Sequence, residues 1–165
     1  MDLTTTRLKI VDLMSDHAPF ILELLNSTDW LQNIGDKGVR TLEDAAKFIQ
    51  TLNEDAQRNY WPVLLKENQE PIGVVSLIQR NHLSAPDLGF ALLPKHYRKG
   101  YAYEAASGLL NYLFHERLVT DEILGIALKE NVSSIALLKK LGFKEIKERV
   151  ENGEVLVELS LKNSI

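Results

Sequence analysis

The chain opens on alternating polarity: Leu8 and Ile10 fall on one side of residues 5–11 and predict a half-buried strand. The period then lengthens. Phe20, Ile21, Leu24 and Leu25 recur at helical spacing, with Ser15 or Asp16 as cap and Pro19 in the first turn, which predicts a helix reaching residue 26. Residues 27–40, punctuated by Gly35 and Gly38, read as a loop with a short helix around Trp30. Thr41 followed by Asp44 resembles a capping box, opening a helix along Ala45, Phe48, Ile49 and Leu52.

The middle of the chain shifts to strands. Residues 61–65 and 72–78 are strand-like runs separated by a polar hairpin turn at 67–71. A third run, 88–93, stops at Pro94, which cannot donate to a sheet ladder. Ala102, Ala105, Ala106, Leu109, Leu110 and Leu113 then mark a helix ending near Arg117, and a strand follows at 122–127. Asn131 or Ser133 starts a last helix with Ile135, Leu138 and Leu141 inward, closed by Gly142. Residues 143–150 and 155–161 form a hairpin on Asn152-Gly153, the strongest local hairpin signal in the chain. This order predicts an α/β (α+β) fold, a mixed sheet flanked by helices. No linker or repeat divides it, so residues 1–165 read as one domain.

Composition narrows the functions open to such a fold. A chain of 165 residues with 45% hydrophobic content can bury a core, and no apolar run reaches the about 18 residues that a membrane-spanning helix needs. Residues 1–4 lack the layout of a secretory signal, so a cytoplasmic protein without membrane contact is expected. There are no cysteines, which removes disulfides and thiolate chemistry. His17, His82, His96 and His115 lie far apart without metal-ligand spacing; they read as surface or partly buried residues, and no metal is expected. A net charge of −4 argues mildly against a nucleic-acid partner.

Residues 87–105 carry the most chemistry: a buried strand, the turn Lys95-His96-Tyr97-Arg98-Lys99-Gly100, and a helix start rich in small residues. The first amides of a helix have no internal partner and sit at the positive end of its dipole. Gly100 and Ala102 leave those amides uncovered, and Arg98 and Lys99 add charge at the rim. Charge-assisted hydrogen bonds contribute about 1.5–3 kcal/mol each, so a few amides and one arginine suffice to grip a diphosphate. Taken alone, the same residues also fit a plain turn with solvated basic side chains. Neither a P-loop ending nor a Gly-x-Gly-x-x-Gly is present. Residues 131–143, from Asn131 to Leu141-Gly142-Phe143, read by themselves as a capped amphipathic helix stopped by glycine.

Together these segments resemble the GCN5-related N-acetyltransferase (GNAT) family, and within it the ribosomal-protein N-terminal acetyltransferases. The resemblance spans nearly the whole chain, including Thr5-Thr6-Arg7-Leu8 and residues 35–45. It implies a mostly antiparallel sheet of about seven strands with splayed parallel strands 4 and 5, and about four helices. It implies acetyl-CoA as co-substrate, with the pyrophosphate at Arg98, Lys99, Gly100, Tyr101, Ala102 and Tyr103, and the pantetheine arm along Phe90, Ala91, Leu92 and Leu93. Asn131 looks like part of the second CoA-side motif. Tyr97 stands where the family usually has Gln or Arg, a departure of small effect if main-chain amides do most of the binding.

Direct transfer to a primary amine in a ternary complex is the activity so implied, on a protein N-terminus or a small molecule. An amide near Leu92 would stabilise the oxyanion, a contribution of about 3–4 kcal/mol. The amine needs a base, for which Asp87 is the first candidate; a solvated strand-end carboxylate fits the same position. Many family members protonate the thiolate with a tyrosine where this chain has Leu138; Ser134, one turn earlier, is the nearest hydroxyl, and it also suits a helix cap. Tyr97, Tyr101, Tyr103 or water are the other sources. The alternative functions are a non-catalytic acyl-CoA-binding module and a plain interaction domain. A homodimer is compatible with the resemblance.

Overall fold

The computed structural model describes residues 1–164. Its eight strands form one sheet: β1 (Asp2–Thr4), β2 (Leu8–Val11), β3 (Arg58–Leu65), β4 (Pro71–Ile78), β5 (Asp87–Leu92), β6 (Glu122–Leu128), β7 (Lys144–Glu151) and β8 (Glu154–Lys162). The spatial order is β1-β2-β3-β4-β5-β6-β8-β7, antiparallel at every pair except β5 with β6. The eighth strand is β1, three residues that are too short to show a period and that pair with β2. Five helices accompany the sheet: α1 (Ala18–Leu25), α2 (Thr28–Asn33), α3 (Leu42–Asn53), α4 (Tyr101–His115) and α5 (Val132–Lys140).

Two cores follow from the pleat of the sheet. On one face α4 buries Ala105, Ala106, Leu109 and Leu113 against Leu8, Ile10, Val63, Val75, Ile123 and Leu159. On the other face α1, α2 and α3 bury Phe20, Leu24, Trp30, Ala45 and Ile49 against Val74 and Leu93. Alternate residues of one strand serve opposite cores, as side chains of period two require. Leu88, Phe90 and Leu92 thus face α4, whereas Ala91 turns toward the N-terminal helices.

Local chemistry sets the ends of these elements. Thr41 caps α3 by accepting from Asp44 N–H at 3.0 Å, and the Asp44 carboxylate accepts from Thr41 N–H at 3.2 Å. Asn131 caps α5, accepting from Ser134 N–H at 3.3 Å. Asn152 and Gly153 both hold positive φ, 49° and 78°, the turn that matches the twist of a two-residue hairpin. The start of α1 differs from the sequence expectation. Neither Ser15 nor Asp16 caps it; a 3-10 turn at Ser15–His17 leads in, tied by Met14 N–H donating to His17 Nδ1 at 2.9 Å.

Candidate active site

The one parallel pair in the sheet is also its incomplete one. β5 and β6 are in register only at Asp87 with Leu124 and at Leu88 with Gly125, after which the strands part. Leu93 N–H donates to the Ile72 carbonyl at 2.8 Å, which fixes the alternation along β5: peptide groups of 87, 89, 91 and 93 face β4. Those of Phe90 and Leu92 face the gap, beyond the last register shared with β6. A cleft of about 800 Å³ opens there, and it is lined by Asp87, Phe90, Ala91, Leu92, Arg98, Gly100, Tyr101, Ala102, Tyr103, Asn131 and Ser134.

The turn from β5 into α4 closes one end of this cleft. Arg98 and Gly100 adopt positive φ, 61° and 79°, and Gly100 stands at the N-cap of α4 without any side-chain cap. The first helical bond runs from Glu104 N–H to the Gly100 carbonyl at 3.1 Å, so the amides of residues 101–103 have no partner inside the helix. Gly100 is left-handed, so any side chain there would be strained, and it lines the cleft together with residues 101–103. Across the cleft, Lys140 Nζ lies 4.5 Å from the centre of the Tyr103 ring, bringing the end of α5 to the start of α4. An uncapped helix start beside two outward main-chain groups fits a diphosphate on a pantetheine arm.

Two expected residues stand apart. Leu93 is buried in the core beneath α1, α2 and α3, and Lys99 is exposed; neither lines the cleft, although the Lys99 carbonyl is used, as described below.

Asp87 is not a solvated strand-end carboxylate. It is 7% exposed, and Arg80 Nε donates to its Oδ1 at 3.1 Å. Burial pushes its carboxyl above the usual range, and the opposing pull of Arg80 does not cancel that effect. Ser134 lines the cleft half-buried, and since Asn131 is the cap of α5, its hydroxyl is not spent on capping. Tyr97 also reaches the cleft; burial first, and the Asp29 carboxylate second, push its phenol upward.

Leu138 occupies the tyrosine position for a packing reason. It is 2% exposed and covers Gly125, where even a Cβ would approach its Cδ2 to 2.7 Å. Leu138→Tyr overfills this contact, and a loss of about 1–3 kcal/mol in urea unfolding is expected without restored proton donation.

The sequence reading missed several residues. His96 is a correction to the expectation of surface or partly buried histidines: it is 6% exposed, neither ring nitrogen is hydrogen-bonded, and Glu70 Oε1 lies 3.5 Å from Nε2. Tyr60 and Ser76 from β3 and β4, and Glu151 and Glu154 from the terminal hairpin, also line the cleft. Arg80 was open to discovery, because an antiparallel return from residue 78 to residue 87 brings position 80 back beside Asp87. Among the described residues no cluster of His, Cys, Asp or Glu could hold a metal, and no helix is long and apolar enough to cross a membrane.

An open mixed sheet parted at one parallel pair, with an uncapped helix start beside the gap, defines a class of acyl-transfer enzymes. Residues 7–144 match the family described as the acetyltransferase (GNAT) domain, and the chain belongs to that family: it is an acetyltransferase. It is 28% identical over 144 residues to the uncharacterized N-acetyltransferase YnaD of Bacillus subtilis, covering 87% of this chain and 83% of that protein. Among solved structures, spermidine N-acetyltransferase from Vibrio cholerae in complex with CoA and spermine superposes with a TM-score of 0.83 at 19% identity, over 97% of this chain and 98% of that one. Ribosomal-protein-S5-alanine acetyltransferase from Vibrio fischeri gives 0.77 at 18% identity, over 99% and 97%. At such identities the two structures speak for the fold.

Proposed function

We propose that residues 1–165 form one N-acetyltransferase domain that moves an acetyl group from acetyl-CoA to a primary amine by direct attack in a ternary complex. The observation that carries this reading is the pair of peptide groups at Phe90 and Leu92 that face the gap, with the uncapped start of α4 on the same cleft. Acetyl-CoA supplies a thioester activated for transfer. The Leu92 peptide group extends the sheet to the pantetheine arm, the amides of residues 101–103 hold the diphosphate, and Arg98 adds charge at the rim.

The Phe90 amide is better placed than that of Leu92 to hold the thioester oxygen as charge develops on it. At about 3.3 Å per residue it lies about 10 Å along the strand from Asp87, against about 16 Å for Leu92, and so gives the shorter path for a water chain between the base and the amine. Asp87 points to the same side of the sheet as the N-terminal helices, where an acceptor reaches the cleft past Asp29 and Trp30. Its carboxylate takes the proton of the attacking amine as the nitrogen–carbon bond forms and the carbon–sulfur bond breaks. Ser134, on the opposite wall, returns a proton to the departing sulfur.

Two acceptor classes fit, a polyamine-like small molecule and a protein N-terminus. The fold neighbours named for spermidine and for a ribosomal protein support both. The test is thiol release from acetyl-CoA with a panel of polyamines, amino acids and N-terminal peptides. Turnover with one amine class and not the others identifies the acceptor; tight CoA binding with no turnover on any amine sinks the reading.

A further inference from the structure

Arg7 lies 92 residues before Lys99, yet the two meet at the diphosphate turn. Arg7 Nη1 donates to the Lys99 carbonyl at 2.9 Å, and Nε donates to Glu104 Oε2 at 2.7 Å. The Arg7 main-chain N–H donates to Glu104 Oε1 at 2.7 Å, and Thr5 Oγ1 donates to the same oxygen at 2.6 Å. The guanidinium also covers the Tyr101 ring at 4.5 Å. One side chain therefore binds the turn on both sides of Gly100, just where Arg98 and Gly100 hold the left-handed conformation.

Gly100 takes a positive φ readily, but Arg98 at 61° does not, and a non-glycine residue in that conformation is held by its surroundings. We infer that Arg7, with Glu104 and Thr5, is a positioning latch that presets the turn of residues 98–103 for the diphosphate of CoA; this rests on the diphosphate reading above. Arg7 does this by its planar fork, which reaches a carbonyl and a carboxylate at once; a lysine ammonium cannot hold that geometry.

The latch makes a prediction whose sign is unusual. Glu104 is a carboxylate in the first turn of the helix that would receive the anion. By charge alone, Glu104→Gln strengthens diphosphate binding; by positioning, it weakens it, because Arg7 and the turn lose their anchor. Calorimetric titration with CoA, and displacement titration with pantetheine, which lacks the diphosphate, separate the two. Glu104→Gln, Arg7→Met and Arg7→Lys are each expected to raise the CoA dissociation constant about ten- to a hundredfold. Pantetheine affinity should move by less than about threefold, because the strand gap is untouched.

Tighter CoA binding by Glu104→Gln, or wild-type affinity in Arg7→Lys, overturns the latch. So does an equal loss for CoA and pantetheine, the mark of general unfolding, with melting curves recorded alongside. Gly100→Glu serves as the control for the underlying reading. If it binds CoA normally, the diphosphate is not at this turn; if it fails while the latch variants bind normally, only the latch is wrong.

Discussion

Gly100→Glu should lose CoA binding by at least about a hundredfold and still fold. Two or more amide contacts to phosphate are lost when a side chain covers the start of α4, and each charge-assisted contact is worth about 1.5–3 kcal/mol. The new carboxylate adds repulsion at the same place. The folded state meets less trouble: an L-residue at φ 79° costs about 1–2 kcal/mol, and the nearest atom to the new Cβ is the Arg7 Nη2 at 3.4 Å, in a flexible side chain. Titration calorimetry with CoA, beside a thermal melt, checks both halves. Undiminished affinity would remove the diphosphate from this turn.

Asp87→Asn has the second large effect, and it falls on kcat. Loss of a general base lowers kcat by about 10²–10⁴, while the dissociation constant of CoA stays near that of the parent protein. The pH dependence carries the sign. Because burial raises the Asp87 carboxyl, the parent rate falls as pH drops through that raised value, where the base becomes protonated. In Asp87→Asn that limb flattens, leaving only the ionisation of the amine itself. Stability moves the other way. A carboxyl whose folded value exceeds its unfolded value stabilises the fold fully only below the unfolded value, and this contribution disappears as pH rises through the folded one. At neutral pH the charged Asp87 is a burden on the fold, so the asparagine variant should melt no lower than the parent. A parallel fall in melting temperature and rate would mark Asp87 as structural.

Much of this architecture could be read from residue order because its signals are local. Asn152-Gly153, Thr41 with Asp44, and Asn131 each satisfy backbone groups within a few positions, so their chemistry is visible in a short window. The start of α1 is not, since no side chain caps it and the histidine ring instead ties off the 3-10 turn that precedes it. Glycine and small residues at 100 and 102 pointed to the turn, whereas the groups that shape it come from afar. Arg80 meets Asp87 through the register of β4 with β5, Arg7 meets its partners through the packing of α4 on β1 and β2, and His96 is buried among residues distant in sequence. Leu138 read as a missing catalytic group until Gly125 showed the space it fills.

The parted strands described above have a consequence for how this enzyme would answer to mutagenesis. On the reading proposed above, recognition at 90 and 92 would be written in the polypeptide itself, and every amino acid but proline carries the same N–H. An alanine scan through that stretch would therefore report the packing of Phe90 and Leu92 against α4, as lost stability, and leave the donors themselves in place. Only proline, or replacement of the peptide nitrogen by an ester oxygen, would expose the contact.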